Sequence, residues 1–154
     1  MLTLASRGSV RERRGHAMET TTEFTVLEHD RRTAVEVVSA ALREAGHHVH
    51  TEPERITATC GSRFLTALLG ALVHPAREYR RYEVDVVSTA GSTVLTLRHA
   101  AHGTAVAGGS IGIARKRESW RRTTGVVEGA LQGAGLLRGR TDRVDTSGIP
   151  LGDR

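Results

Sequence analysis

The period of hydrophobic positions changes several times along the chain, and each change marks an element. Residues 23–28, EFTVLE, alternate apolar and polar positions with β-branched and aromatic content, which predicts a first strand. Asp30 is then placed to cap a helix over RRTAVEVVSAALREAG, in which Val35, Val38, Ala41, Leu42 and Ala45 recur at helical spacing and Gly46 stands where a helix stops. HHVHTEPERITATC predicts two short strands turning at Glu52, Pro53 and Glu54. After Pro75, the alternation of Arg80, Tyr82, Val84 and Val86 against Arg81, Glu83, Asp85 and Val87 predicts a strand. The turn residues 89–92 and the returning TVLTLRHA complete an antiparallel hairpin with one dry face, its outer charges, Arg81 and Arg98 included, left to solvent.

Two stretches depart from simple amphipathic patterning. In GSRFLTALLGALVHP the residues Phe64, Leu65, Leu68, Leu69 and Leu72 form a helical stripe, yet the opposite side is small and uncharged. Three readings follow, led by a buried helix crossing between sheet halves, with a lid on an apolar pocket or a partner contact as alternatives. In residues 117–137, RESWRRTTGVVEGALQGAGLL, helical winding places Trp120, Thr123, Val127, Ala130, Leu131 and Ala134 on one side and Gly125, Gly129 and Gly133 on the other. Interior glycine costs a helix roughly 1 kcal/mol relative to alanine, so the glycine stripe suits close approach of a second helix, either residues 31–45 or a symmetry mate.

The element order is therefore β-α-β-β-α-β-β-α. It predicts an α+β domain in which a curved antiparallel sheet of about five strands is covered on one face by two or three helices. That layout resembles helix-grip, TATA-binding-protein-like and secretion-chaperone-like architectures. The domain is expected over residues 18–137. Residues 138–154, polar and without periodicity, are expected to be disordered. Residues 1–17 are expected to be a disordered extension or a misassigned start, because Glu12, Arg13, Arg14 and Gly15 can be encoded by a purine-rich tract just upstream of Met18.

Composition narrows the function classes. A length of 154 residues suits one domain with a core of its own. Cys60, the sole cysteine, cannot form an internal disulfide, and its alternation with Ile56 and Ala58 suggests a buried, inert thiol. Twenty-one arginines against a single lysine, Lys116, point to a GC-rich bacterial genome. The net charge of +5 comes mostly from the ends, since residues 18–137 carry 14 basic and 13 acidic side chains. A basic footprint for nucleic acid is thus not expected, nor is a base-stacking platform in a chain that is 3% aromatic. No apolar run has the length of a signal core or a membrane span, so a cytoplasmic location is expected.

The chemistry that the sequence offers is sparse. His48 and His50 share a strand face, but no acidic or thiol partner stands at a metal-ligand interval, so no metal or other cofactor is assigned. Gly103 and Gly108 are spaced as in a phosphate-binding loop with Ser110 in the hydroxyl position, yet Gly109 replaces the lysine on which that motif depends. Gly108, Gly109, Ser110, Ile111 and Gly112 also spell a nucleophile elbow, but no histidine follows Ser110 to complete a triad. No catalytic residue is assigned. What survives is an anion site at the glycine-rich loop 103–117, made by Gly108, Gly109 and Ser110 with Arg115, Lys116 and Arg117 beyond.

The leading expectation is a non-catalytic, homodimeric binding module that presents or encloses an apolar surface for a small molecule or protein partner. Phe64, Leu65, Leu68, Leu69, Leu72 and Trp120 would line it, and Gly125, Gly129 and Gly133 would form the interface. The alternatives are an enzyme or regulator holding a small anionic or phosphorylated ligand at residues 103–117, and an adaptor using residues 64–73.

Overall fold

Hydrophobic alternation builds a sheet here and helical stripes cover it. The computed structural model describes residues 19–61, 79–100 and 109–145. Strand β1 (Glu19–Leu27) leads through a short 3-10 turn at Glu28–Asp30 into helix α1 (Arg31–Glu44). Strands β2 (His48–Glu52), β3 (Arg55–Cys60), β4 (Arg80–Thr89) and β5 (Ser92–His99) follow, then helix α2 (Gly109–Gly133) and strand β6 (Gly139–Asp145). The six strands form one open antiparallel sheet in the order β2-β3-β4-β5-β1-β6. The protein is an α+β fold.

One face of every central strand is dry. Phe24 and Val26 of β1, Ile56 and Ala58 of β3, Tyr82, Val84 and Val86 of β4, and Leu95 and Leu97 of β5 are buried in a single cluster. Ala34, Val38 and Leu42 of α1 join it, as do Val127 and Leu131 of α2, with Trp120 partly buried against it. Removing each large apolar side chain from water stabilises the fold by roughly 1.5–3 kcal/mol, so this cluster, fed from both helices, fixes which sheet face they cover. Ser39 adds a polar tie between α1 and the edge strand, its hydroxyl 3.1 Å from that of Thr51.

Both helices end by the same device. Gly46 has φ +89°, its N–H bonds to Arg43 O, and the His47 N–H reaches Leu42 O. Gly135 has φ +69°, with the equivalent bonds from Gly135 to Gln132 and from Leu136 to Leu131. Glycine enters this left-handed conformation without the penalty that a Cβ brings. At the other end of α1, Asp30 occupies the capping position but makes no side-chain capping bond; its carboxylate lies 3.5 Å from His29 Nε2 instead.

The structure corrects several expectations. The sheet has six strands rather than about five, because residues 139–145, expected to be disordered, pair with β1 as β6. Backbone pairing and ion pairs build that strand without any apolar alternation, which is why periodicity did not reveal it. Helix α2 starts at Gly109 rather than near residue 117 and stops at Gly133, so the helix takes in residues 109–117 of the expected glycine-rich loop. Residues 64–73, which carry Phe64, Leu65, Leu68, Leu69 and Leu72, lie outside the described residues, as do residues 1–18 and 146–154.

The outer face of the hairpin is also more than solvated charge. Glu83 is buried between two arginines, accepting from Arg81 Nη2 at 2.9 Å and Arg98 Nη2 at 2.8 Å. Asp85 continues the chain, 2.7 Å from Arg55 Nε and 3.2 Å from Arg98 Nε. Cross-strand register places these groups side by side, Thr57 opposite Glu83 and Glu83 opposite Arg98, Arg55 opposite Asp85. A carboxylate sunk among guanidiniums is sustained by its partners, and removing one strands the other.

Candidate functional site

Tyr82 is the centre of the most chemically mixed region of the fold. It sits on the dry face of β4, fully buried, in register with Ala58 on one side and His99 on the other. Burial of a phenol requires a partner for its hydroxyl, and α2 supplies two. The Tyr82 hydroxyl shares a hydrogen bond with that of Ser119, and Thr123, one turn further along, bonds to it as well. Ser119, Trp120 and Thr123 fall on one side of α2 because positions three and four apart lie on one helix face.

Three more rings surround the tyrosine. His99 stands edge-on at 5.3 Å between centroids, His47 edge-on at 5.8 Å, and Trp120 lies at 6.3 Å in a tilted arrangement. Such edge-to-face packing aligns ring edges with π faces and adds about 0.5–1.5 kcal/mol per pair beyond burial. His47 is delivered by the end of α1, where the Gly46 turn reverses the chain and leaves its Nδ1 3.2 Å from Leu42 O. Trp120 remains half-buried.

Burial keeps the Tyr82 phenol and the His47 imidazole neutral. Burial pushes the Tyr82 phenol upward, against hydrogen bonds from Ser119 and Thr123 and the nearby Arg80 charge, which pull it down. Burial likewise lowers His47, aided by Arg80 and opposed by the bond to Leu42 O. A neutral imidazole and a neutral phenol therefore face each other at pH 7.

The place of this cluster in the chain matters as much as its contents. Cys60 pairs with Arg80, and Tyr82 with His99, at one end of the sheet. The chain leaves β3 and re-enters β4 there, and after β5 it leaves again towards α2. Both long connections, one carrying the apolar residues 64–73, are thus anchored beside Tyr82.

Of the candidate ligand-lining residues, Trp120 falls in this cluster, and the others, Phe64, Leu65, Leu68, Leu69 and Leu72, lie outside the described residues. Gly109 and Ser110 are the first residues of α2, and Gly108 lies outside the described residues. Arg115, Lys116 and Arg117 are helical, not part of a loop, so successive side chains diverge by about 100° each and fan around α2. Arg115 is half-buried, whereas Lys116 and Arg117 are exposed. Gly125, Gly129 and Gly133 have no atom of the described residues within 4 Å of an added Cβ, so the stripe makes no close approach to α1. Sequence reasoning passed over Tyr82, His47, His99 and Ser119 as a group. The one available signal was a tyrosine on the dry face of a strand, which demands a polar partner from elsewhere in the chain.

Among the described residues no group of three His, Cys, Asp or Glu side chains is placed to hold a metal. No helix among them is long and apolar enough to cross a membrane. No protein-family model matches the chain, and no curated protein is significantly similar to it.

Proposed function

We propose that this protein is a non-catalytic bacterial binding module, cytoplasmic and homodimeric, with a helix-grip-like arrangement of sheet and helices that encloses an apolar, ring-bearing small molecule. The observation that carries this reading is the half-buried Trp120 beside the Tyr82, His47 and His99 rings at the end of the sheet where both long connections are anchored. Phe64, Leu65, Leu68, Leu69 and Leu72 belong to one of those connections and would complete the apolar lining. Ligand sites of this kind combine apolar walls with a few fixed polar groups, and the Tyr82–Ser119 hydroxyl pair and the neutral His47 supply such groups.

The competing readings have less support. An adaptor requires an exposed apolar patch; the residues assigned to it, 64–73, lie outside the described ones, and among the described residues Val87 is the sole large apolar side chain that is exposed, so no further patch supports it. An anion site at residues 103–117 requires converging cations, whereas Arg115, Lys116 and Arg117 diverge around α2.

Trp120 is the only tryptophan, so its fluorescence reports on this region alone. Saturable energy transfer from Trp120 to 1-anilinonaphthalene-8-sulfonate in the folded protein, lost on displacement by an apolar aromatic compound, is the expected result. No saturable transfer, together with native mass spectrometry showing no small-molecule adduct on protein purified from its host, rejects the reading. For the dimer, Gly125, Gly129 and Gly133 would form the interface. Light scattering tests it, because Gly129→Leu should halve the mass in solution.

A further inference from the structure

The two edges of the sheet are held in different ways. Edge strand β2 is anchored in the core, with Val49 packed against the buried cluster and Thr51 bonded to Ser39. In edge strand β6 the side chains that are described, up to Arg143, make no such anchor. Arg140, Thr141, Asp142 and Arg143 are all exposed, and none of them belongs to the core cluster. Their side-chain ties are polar. Arg140 pairs with Glu128 of α2 and with Asp142, Asp142 accepts from the Thr22 hydroxyl at 2.7 Å, and Arg143 lies 3.0 Å from Glu23. Burial alone would raise the Asp142 carboxyl, yet the bonds from Thr22 and Arg140 outweigh it and hold the group below its usual value.

The strand beneath is of the opposite character. In ETTTEFTVL, β1 is rich in β-branched residues, and it carries no proline, lysine or arginine. An edge of that kind is a template for another strand, and β6 covers it along seven residues with a charged, weakly anchored strip. Leu136, buried at the end of α2, and Leu137, packed on the same core, fasten the chain just before β6 begins. The Arg138 N–H is already bonded to Thr25 O of β1, so the pivot is at the junction of Leu137 and Arg138.

We infer that the outer edge of β1 is a strand-acceptor site, filled within one chain by its own β6 and exchangeable with the β6 of a second copy. The second copy is the occupant that the charges select. An arriving strand must place an arginine against Glu128, an aspartate against Thr22 and an arginine against Glu23, and another β6 does this in the same register. The pivot follows directly on the Leu136–Leu137 anchor, so exchange requires the two copies to meet near the end of α2. This inference depends on neither the ligand nor the glycine stripe.

Glu23 and Thr141 are register partners on the outer face, which permits a direct trap. Full-length chains with Cys60→Ser, one also carrying Glu23→Cys and the other Thr141→Cys, are mixed and oxidised at equilibrium. The expected product is a disulfide-linked heterodimer, formed roughly threefold faster in 1 M salt because Arg140–Glu128 and, in the chain that keeps Glu23, Arg143–Glu23 are the ion pairs that tie β6 to the rest of the fold, and salt screens them. A single chain carrying both cysteines serves as the control and should close an internal disulfide. Closure in that control with no link in the mixture overturns the exchange, and no closure overturns the β1–β6 register on which it rests. Links between two Glu23→Cys chains at the same rate would mean random collision and also overturn it. Failure here leaves the Trp120 fluorescence result untouched, so the two ideas fall separately.

Discussion

The two halves of α2 lie on the same sheet yet differ in kind. Past Val127 the helix is sealed: Val127 and Leu131 are fully buried, Leu136 nearly so, and the Gly135 turn closes the end. Among the described side chains before Thr123 the contact is made by hydroxyls and rings, with Ser119 on Tyr82 and Trp120 half-buried beside them. A sealed apolar contact maximises burial and tolerates no change in volume. A mixed contact beside two long connections sacrifices some of that burial, and proteins keep such regions where something must bind. On the proposed binding reading, stability is concentrated at one end of α2 and recognition at the other.

Leu131→Ala is the strongest way to test that division. It removes a fully buried side chain from the sealed half and should cost about 2–5 kcal/mol of unfolding free energy, read from denaturant titration. Whatever fraction stays folded should still transfer energy from Trp120 to the fluorescent probe. Loss of probe binding in the folded fraction would erase the distinction between the halves.

Tyr82→Phe acts on the mixed half. It keeps the ring contacts with His47, His99 and Trp120 and deletes the hydroxyl that Ser119 and Thr123 share, for an expected loss of about 0.5–1.5 kcal/mol. Its effect on probe affinity should exceed its share of stability. If melting shifts as expected while the probe constant stays unchanged, the hydroxyl pair is structural alone.

Gly129→Ala should act with the opposite sign. No atom of the described residues crowds that position, and alanine favours a helix interior by about 0.5–1 kcal/mol, so the dilute monomer should melt higher. If the glycine stripe is a dimer contact, that gain should vanish as concentration rises. A gain at every concentration would mean that the stripe faces water.

How far the sequence disclosed this molecule follows from the range of the forces involved. The stripe of α1 and the dry face of the β4–β5 hairpin were legible because burial imposes a local period, and Val38, Leu42, Tyr82, Val84 and Val86 obey it. Strand β6 was not, since Arg140 owes its position to Glu128 on the preceding helix and Arg143 to Glu23 at the far end of the chain. The start of α2 was hidden by glycines whose propensity opposes a helix. The Tyr82 cluster draws on α1, β4, β5 and α2 at once, so no window of the sequence contains it. The glycine stripe was legible as a pattern, but a pattern names no partner.

The smallest expected effect concerns pH and tests whether the mixed half of α2 is held neutral. His47 in the folded chain lies below its ordinary value of 6.5, first through burial and then through the Arg80 charge, with the bond to Leu42 O opposing both. The unfolded chain therefore binds this proton more readily than the folded one. By linkage, stability rises with pH wherever the unfolded state holds more protons, so the contribution of His47 is complete above about pH 6.5 and is lost as pH falls from there towards the folded value. Urea midpoints from pH 8 to pH 5 should thus decline more steeply in the parent protein than in His47→Gln, which carries no proton to gain. Parallel declines in both would mean that the imidazole titrates as freely folded as unfolded, and the neutral environment assigned to the Tyr82 end would lose its main support.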